Sequence, residues 1–133
     1  MRLYLVRHAE AAPGSPDELR PLTAAGRRVA RELGSRLAGE GPVDAVVSSP
    51  LLRARQTAAA IASVAGAGEP AIDKGLAPGA TPESLLAAVR GRGERVVVVA
   101  HQPDCSLIAA AFTGEELAFA PGGMVVIEIA ASA

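Results

Sequence analysis

The apolar residues of this chain come in short unbroken runs that stop at polar side chains, and this limits its possible folds more than any other feature. Residues 3–6 stop at Arg7 and His8, residues 45–47 stop at Ser48, Ser49 and Pro50, and residues 96–100 stop at His101. Such runs, without polar alternation, are what strands buried on both faces look like, and they need helices above and below them. Helical patterns fill the gaps. Thr23 can cap a helix over 24–37 that sets Val29, Ala30, Leu33 and Leu37 on one face and Arg27, Arg28, Arg31 and Arg36 largely elsewhere, with Gly39 and Gly41 stopping it. Pro50 suits the first turn of a helix over 51–64, which Gly66 and Gly68 end. A weak strand at 71–73, a helix over 82–89 capped by Thr81 and ended by Gly91 and Gly93, a helix over 103–112 and a last strand over 124–130 complete the chain. Residues 11–21 hold three prolines and a glycine and read as a surface loop. The alternation predicts a three-layer α/β/α sandwich with a mainly parallel central sheet.

At 133 residues the chain can bury one core, and a single domain over 1–133 is expected. Half of its residues are hydrophobic but only 2% are aromatic, so aliphatic side chains must fill the core and no stacking platform for bases exists. A formal charge of -1 gives no general attraction to nucleic acid or to an anionic membrane, so any anion site has to be local. Lys74 is the sole lysine; the other basic residues are arginines, which grip phosphate in a bidentate fashion, although a GC-rich genome would leave the same bias. Cys105 stands alone, so neither an intrachain disulfide nor a cysteine-pair zinc site is expected, and a reducing compartment fits. The apolar run before Arg7 is too short for a signal sequence or a membrane span. A cytoplasmic monomer is the expectation.

Both histidines, His8 and His101, directly follow buried strands that should lie parallel, which puts both at the carboxyl edge where ligands of open α/β sheets bind. Arg7 precedes His8, and Arg53 and Arg55 fall in the first turn after the second strand, where a helix start adds free N–H groups and partial positive charge. Imidazoles, guanidinium forks and a helix start at one edge suit a compact dianion such as phosphate. Two positions apart on a helix, Arg53 and Arg55 point in different directions, so one of them faces the pocket. For Arg55, Arg27, Arg28 and Arg31 a solvated surface is the simpler reading.

Four segments, LYLVRHAEA at 3–11, RPLTAAG at 20–26, SSPLLRARQTA at 48–58 and VVVVAHQP at 96–103, resemble in order the histidine phosphatase superfamily, and within it the small phosphohistidine phosphatases of SixA type. Ala9 stands where many members have glycine, a change also common among SixA-like members. The resemblance implies a small domain without the inserted subdomain of larger relatives, and a phosphatase working through a phosphorylated His8. It makes Arg7 and Arg53 phosphate ligands, His101 the second pocket histidine acting as imidazolium, Arg20 an additional phosphate contact and the Gln102 backbone N–H another. Neither a metal nor another cofactor is implied. The acid of larger relatives has no aligned counterpart in DKGLAPGATPE at 73–83; Glu10 and Asp73 are possible donors, each more simply read as a surface charge. Its absence favours a phosphohistidine on a protein, whose imidazole leaves more readily than an alkoxide. A small phosphorylated metabolite is the second substrate reading, and a non-catalytic phosphate-binding module the reading from another class.

Overall fold

A computed structural model describes residues 1–130. The elements are β1 (Arg2–Arg7), α1 (Ala24–Gly39), β2 (Ala45–Ser48), α2 (Leu52–Ala65), β3 (Ala71–Ile72), α3 (Pro82–Val89), β4 (Arg95–Ala100), α4 (Asp104–Thr113) and β5 (Met124–Glu128), with one-turn 3₁₀ helices at Asp17–Leu19 and Lys74–Leu76. The strands form one sheet in the order β3, β2, β4, β1, β5, parallel except where β5 runs antiparallel along β1. This is the expected three-layer α/β/α sandwich.

The period-two geometry of strands sorts the apolar runs into two cores. Leu3, Leu5, Val47, Val96 and Val98 meet Leu85 and Val89 of α3 and Cys105 and Ile108 of α4 on one face. Tyr4, Val6, Val46, Val97 and Val99 meet Leu33 and Leu37 of α1 and Ala54, Ala58 and Ile61 of α2 on the other. Gly34 lets α1 and α2 approach closely, since a Cβ there would lie 2.9 Å from Val64 Cβ and 3.0 Å from the Ile61 carbonyl.

The helix caps behave as their residue types dictate. Thr23 accepts from the Gly26 N–H, and Thr81 and Ser84 form a reciprocal capping box before α3. Four expectations need correction. Val29 is exposed, and Gly26 and Gly34 join Ala30, Leu33 and Leu37 on the buried face of α1, because close packing of that helix favours residues without side chains. Pro50 precedes α2 rather than sitting in its first turn, since the Ser49 hydroxyl accepts from the Leu51 N–H and starts the helix later. The strand at 71–73 is only Ala71–Ile72, and the last strand ends at Glu128, where its partner β1 runs out at Arg2.

Candidate active site

The register of the central strands builds the site. Arg7 lies opposite Ala100 in the β1–β4 pair, so the residues that follow, His8 and His101, leave adjacent strand ends side by side, their ring centroids 5.3 Å apart. Ser48 lies opposite Val99 on β2, which brings Ser49 to the same edge.

His8 is half-buried, and its Nδ1 sits 2.8 Å from the Ala9 carbonyl. A carbonyl only accepts, so Nδ1 carries the proton and Nε2 keeps its lone pair. Ala9 is itself fixed, its N–H donating to Thr57 Oγ1 at 3.0 Å, while the Thr57 hydroxyl donates to the Arg53 carbonyl at 2.8 Å. One residue of α2 thus ties the peptide after His8 to the helix that carries Arg53. Burial foremost, and then the charges of Arg53, Arg7 and Arg20, push the His8 imidazole below its usual range, against the pull of the Ala9 carbonyl.

His101 is 3% exposed, and its Nε2 lies 2.7 Å from the Ser49 hydroxyl, while Nδ1 is buried with no partner. Burial foremost, then His8, Arg53 and Arg7, lower its pKa to about 4, with Asp17 opposing them. The expected imidazolium is therefore a neutral imidazole at pH 7 in the protein by itself, and its charge has to arrive with an anion.

Arg7 donates from Nη1 to the Phe119 carbonyl at 2.9 Å, and its buried Nε has no partner. Arg53 is buried and Arg55 exposed, as the helical spacing requires. Arg53 and Arg20 converge on a residue that the sequence did not single out. Arg20 Nη1 donates to Asp17 Oδ1 at 3.0 Å and Arg53 Nη2 to Asp17 Oδ2 at 3.1 Å. The two arginines hold the Asp17 carboxyl well below its usual range. The Gln102 side chain is turned away into α4, bonded at both ends to Ser106, donating to Oγ at 2.7 Å and accepting from the N–H at 2.9 Å, which leaves only its backbone for the expected contact.

The two carboxylates weighed as proton donors are engaged elsewhere. Asp73 accepts from the Gly75 N–H at 2.7 Å and Glu10 from the Thr23 hydroxyl at 2.7 Å. Buried Asp104 accepts from the N–H groups of Gly79 and Ala80. Among the described residues, no group of three His, Cys, Asp or Glu side chains could hold a metal ion, and no helix is long and apolar enough to cross a membrane. Two clefts of about 330 and 420 Å³ lie along α2, and neither is lined by His8, Arg53 or His101.

Ser49, Thr57 and Asp17 are the site residues that sequence reasoning missed. Ser49 and Thr57 lie within the segment 48–58 that carried the family resemblance, and that was the available signal. Asp17 lies in the proline-rich loop, outside all four segments.

The model of the histidine phosphatase superfamily (branch 1) matches residues 3–77. An uncharacterized protein of Picosynechococcus sp. is 34% identical over 137 residues, covering 94% of this chain and 83% of that protein. Among solved structures, the protein histidine phosphatase SixA in complex with tungstate superposes with a TM-score of 0.87 at 24% identity over 97% of this chain and 88% of that one, a likeness of fold. A candidate phosphohistidine phosphatase SixA of Agrobacterium tumefaciens superposes at 0.79 with 28% identity over 94% and 89%, and another of Nakamurella multipartitia at 0.68 with 34% identity over 81% and 63%. With more than half its length matched by the family model and a 34% identical relative spanning nearly all of it, the chain belongs to the histidine phosphatase superfamily, branch 1, and is a phosphatase with the SixA-like fold.

Proposed function

We propose that the chain is a phosphohistidine phosphatase that works through phospho-His8. The observation that carries the substrate class is the state of the carboxylates at this edge of the sheet. Glu10 and Asp73 are engaged as hydrogen-bond acceptors and Asp17 is held ionised by two arginines, so none of these three stands ready to protonate an alkoxide. An imidazole needs no such acid, since its far nitrogen can take a proton from solvent before the P–N bond breaks. The resemblance to two SixA chains described as candidate phosphohistidine phosphatases supports the same reading.

His8 Nε2, its lone pair exposed by the Nδ1–H bond to the Ala9 carbonyl, attacks phosphorus in line as the substrate P–N bond breaks. Arg7, Arg53 and Arg20 neutralise the equatorial oxygens, assisted by the Gln102 N–H. His101, neutral beforehand, takes a proton from solvent as the dianion settles beside it and adds a fifth donor. Water then attacks the phosphorus of phospho-His8, giving inorganic phosphate and regenerating the neutral imidazole.

The test is phosphate release from a phosphohistidine-bearing protein alongside a panel of monoesters with graded leaving groups. Phosphohistidine and aryl phosphates should turn over at least about a hundredfold faster than an unactivated sugar phosphate, the range that one missing acid commands. His8→Ala should abolish release, and brief quenching of the wild type should trap an acid-labile, base-stable phosphoryl group. Comparable turnover of a sugar phosphate would move the substrate to metabolism, and release by His8→Ala would remove His8 as nucleophile.

A further inference from the structure

Asp17 joins the two guanidinium groups at the edge of the site. Beyond its carboxylate bonds to Arg20 and Arg53, its backbone carbonyl accepts from Arg53 Nη1 at 2.9 Å. The side chain of Arg53 is 9% exposed and that of Asp17 is 60% exposed. A guanidinium shut away from water needs a counter-anion, whereas a carboxylate facing solvent can leave. Nothing else has to move when it does. Arg53 Nη1 keeps the Asp17 carbonyl in place, and Arg20 Nε donates separately to the Ala12 carbonyl at 2.9 Å, so rotation about the Asp17 side-chain bonds frees one nitrogen of each guanidinium, Arg53 Nη2 and Arg20 Nη1. Two guanidinium nitrogens that each hold one oxygen of a carboxylate can hold two oxygens of a phosphoryl group in the same way. The carboxylate also belongs to the pocket electrostatically, since its charge is felt at His101.

We propose that Asp17 is an internal anion that occupies Arg53 and Arg20 until a phosphoryl group displaces it, and so sets the affinity of the site for substrate and product alike. The proposal rests on Arg53 and Arg20 being phosphate ligands. The carboxylate competes with ground state and transition state equally, so its effect falls on binding rather than on the chemical step. Held anionic by its partners, it is no proton donor.

Asp17→Asn keeps the shape and removes the charge, and Asp17→Ala removes the contact altogether. In steady-state hydrolysis of an aryl phosphate, both variants should lower KM and the competitive inhibition constant of inorganic phosphate together, by about tenfold. Thermal unfolding, which needs no activity, should show phosphate raising the melting temperature more in either variant than in wild type. Weaker or unchanged phosphate binding would make Asp17 a clamp that orients Arg53, and a fall in kcat with KM unmoved would make it a proton donor; either overturns the proposal. Arg53→Ala serves as reference. If it binds phosphate as tightly as wild type, Arg53 is no ligand and the underlying assignment fails with this one; if it loses phosphate while the Asp17 variants gain none, this proposal alone fails.

Discussion

His101 is held from one side only. The Ser49 hydroxyl bonds Nε2, the other ring nitrogen is buried without a partner, and the same hydroxyl accepts from the Leu51 N–H at 3.2 Å. A hydroxyl has one donor and two acceptor sites, so Ser49 can donate a hydrogen bond to Nε2 of a neutral imidazole or accept one from an imidazolium, and it serves both states that the proposed mechanism demands. Ser49→Ala should lower kcat by about tenfold, equivalent to roughly 1.4 kcal/mol, with KM affected less. Nitrogen chemical shifts of the imidazole would register the changed tautomer balance; a variant with wild-type kcat and shifts would reduce Ser49 to a helix-starting residue. The histidines and Arg53 were legible because a strand end or a helical phase places them locally. Ser49 and Asp17 were not, since each acts on a partner 52 or 36 positions away, a separation that no local pattern encodes.

At the scale of elements, α2 organises the site. Arg53 and Thr57 are one turn apart on its buried face, so the helix that presents the guanidinium also fastens the peptide after His8. Thr57→Val preserves shape but leaves the buried Ala9 N–H without its acceptor, a loss of about 1–3 kcal/mol in chemical denaturation. Activity should fall further than stability alone explains, because Ala9 also supplies the carbonyl that fixes the His8 tautomer. On the other side of that loop, a Cβ on Gly26 would lie 2.3 Å from the Glu10 carbonyl oxygen, a backbone atom with no side-chain freedom to yield. Gly26→Ala should therefore cost about 1–3 kcal/mol of stability and displace the turn after His8, with kcat falling as well. A variant as stable and active as wild type would show that the loop shifts freely. The helices and strands themselves were readable, since unbroken Val-rich runs and Thr caps need no tertiary knowledge. The face of α1 was misread at Val29, and its buried Gly26 and Gly34 went unseen, because a glycine can be buried for closeness rather than for hydrophobicity, and periodicity scores only the latter.

Over the whole molecule, the two buried or half-buried histidines tie stability to pH. Unfolding exposes His101 to water, where its pKa returns from about 4 to the ordinary value of 6.5. Between those values the unfolded chain binds more protons than the folded one, so stability rises with pH across the window and is lost on acidification from 6.5 towards 4. His8, also lowered, acts in the same direction. Asp17 and Asp44, both lowered, act at still more acid pH, their contribution vanishing as pH falls from about 3.8 through their folded values. Urea unfolding should therefore show a loss on the order of 2 kcal/mol between pH 7 and pH 4.5, before the carboxylates begin to count. His101→Gln should be less stable at pH 7, because Ser49 loses a partner, yet show a flatter profile through the window. An unchanged slope in that variant would trace the acid sensitivity to other groups and would mean that His101 titrates alike in the folded and the unfolded chain, so that burial does not hold it neutral before the phosphoryl group arrives.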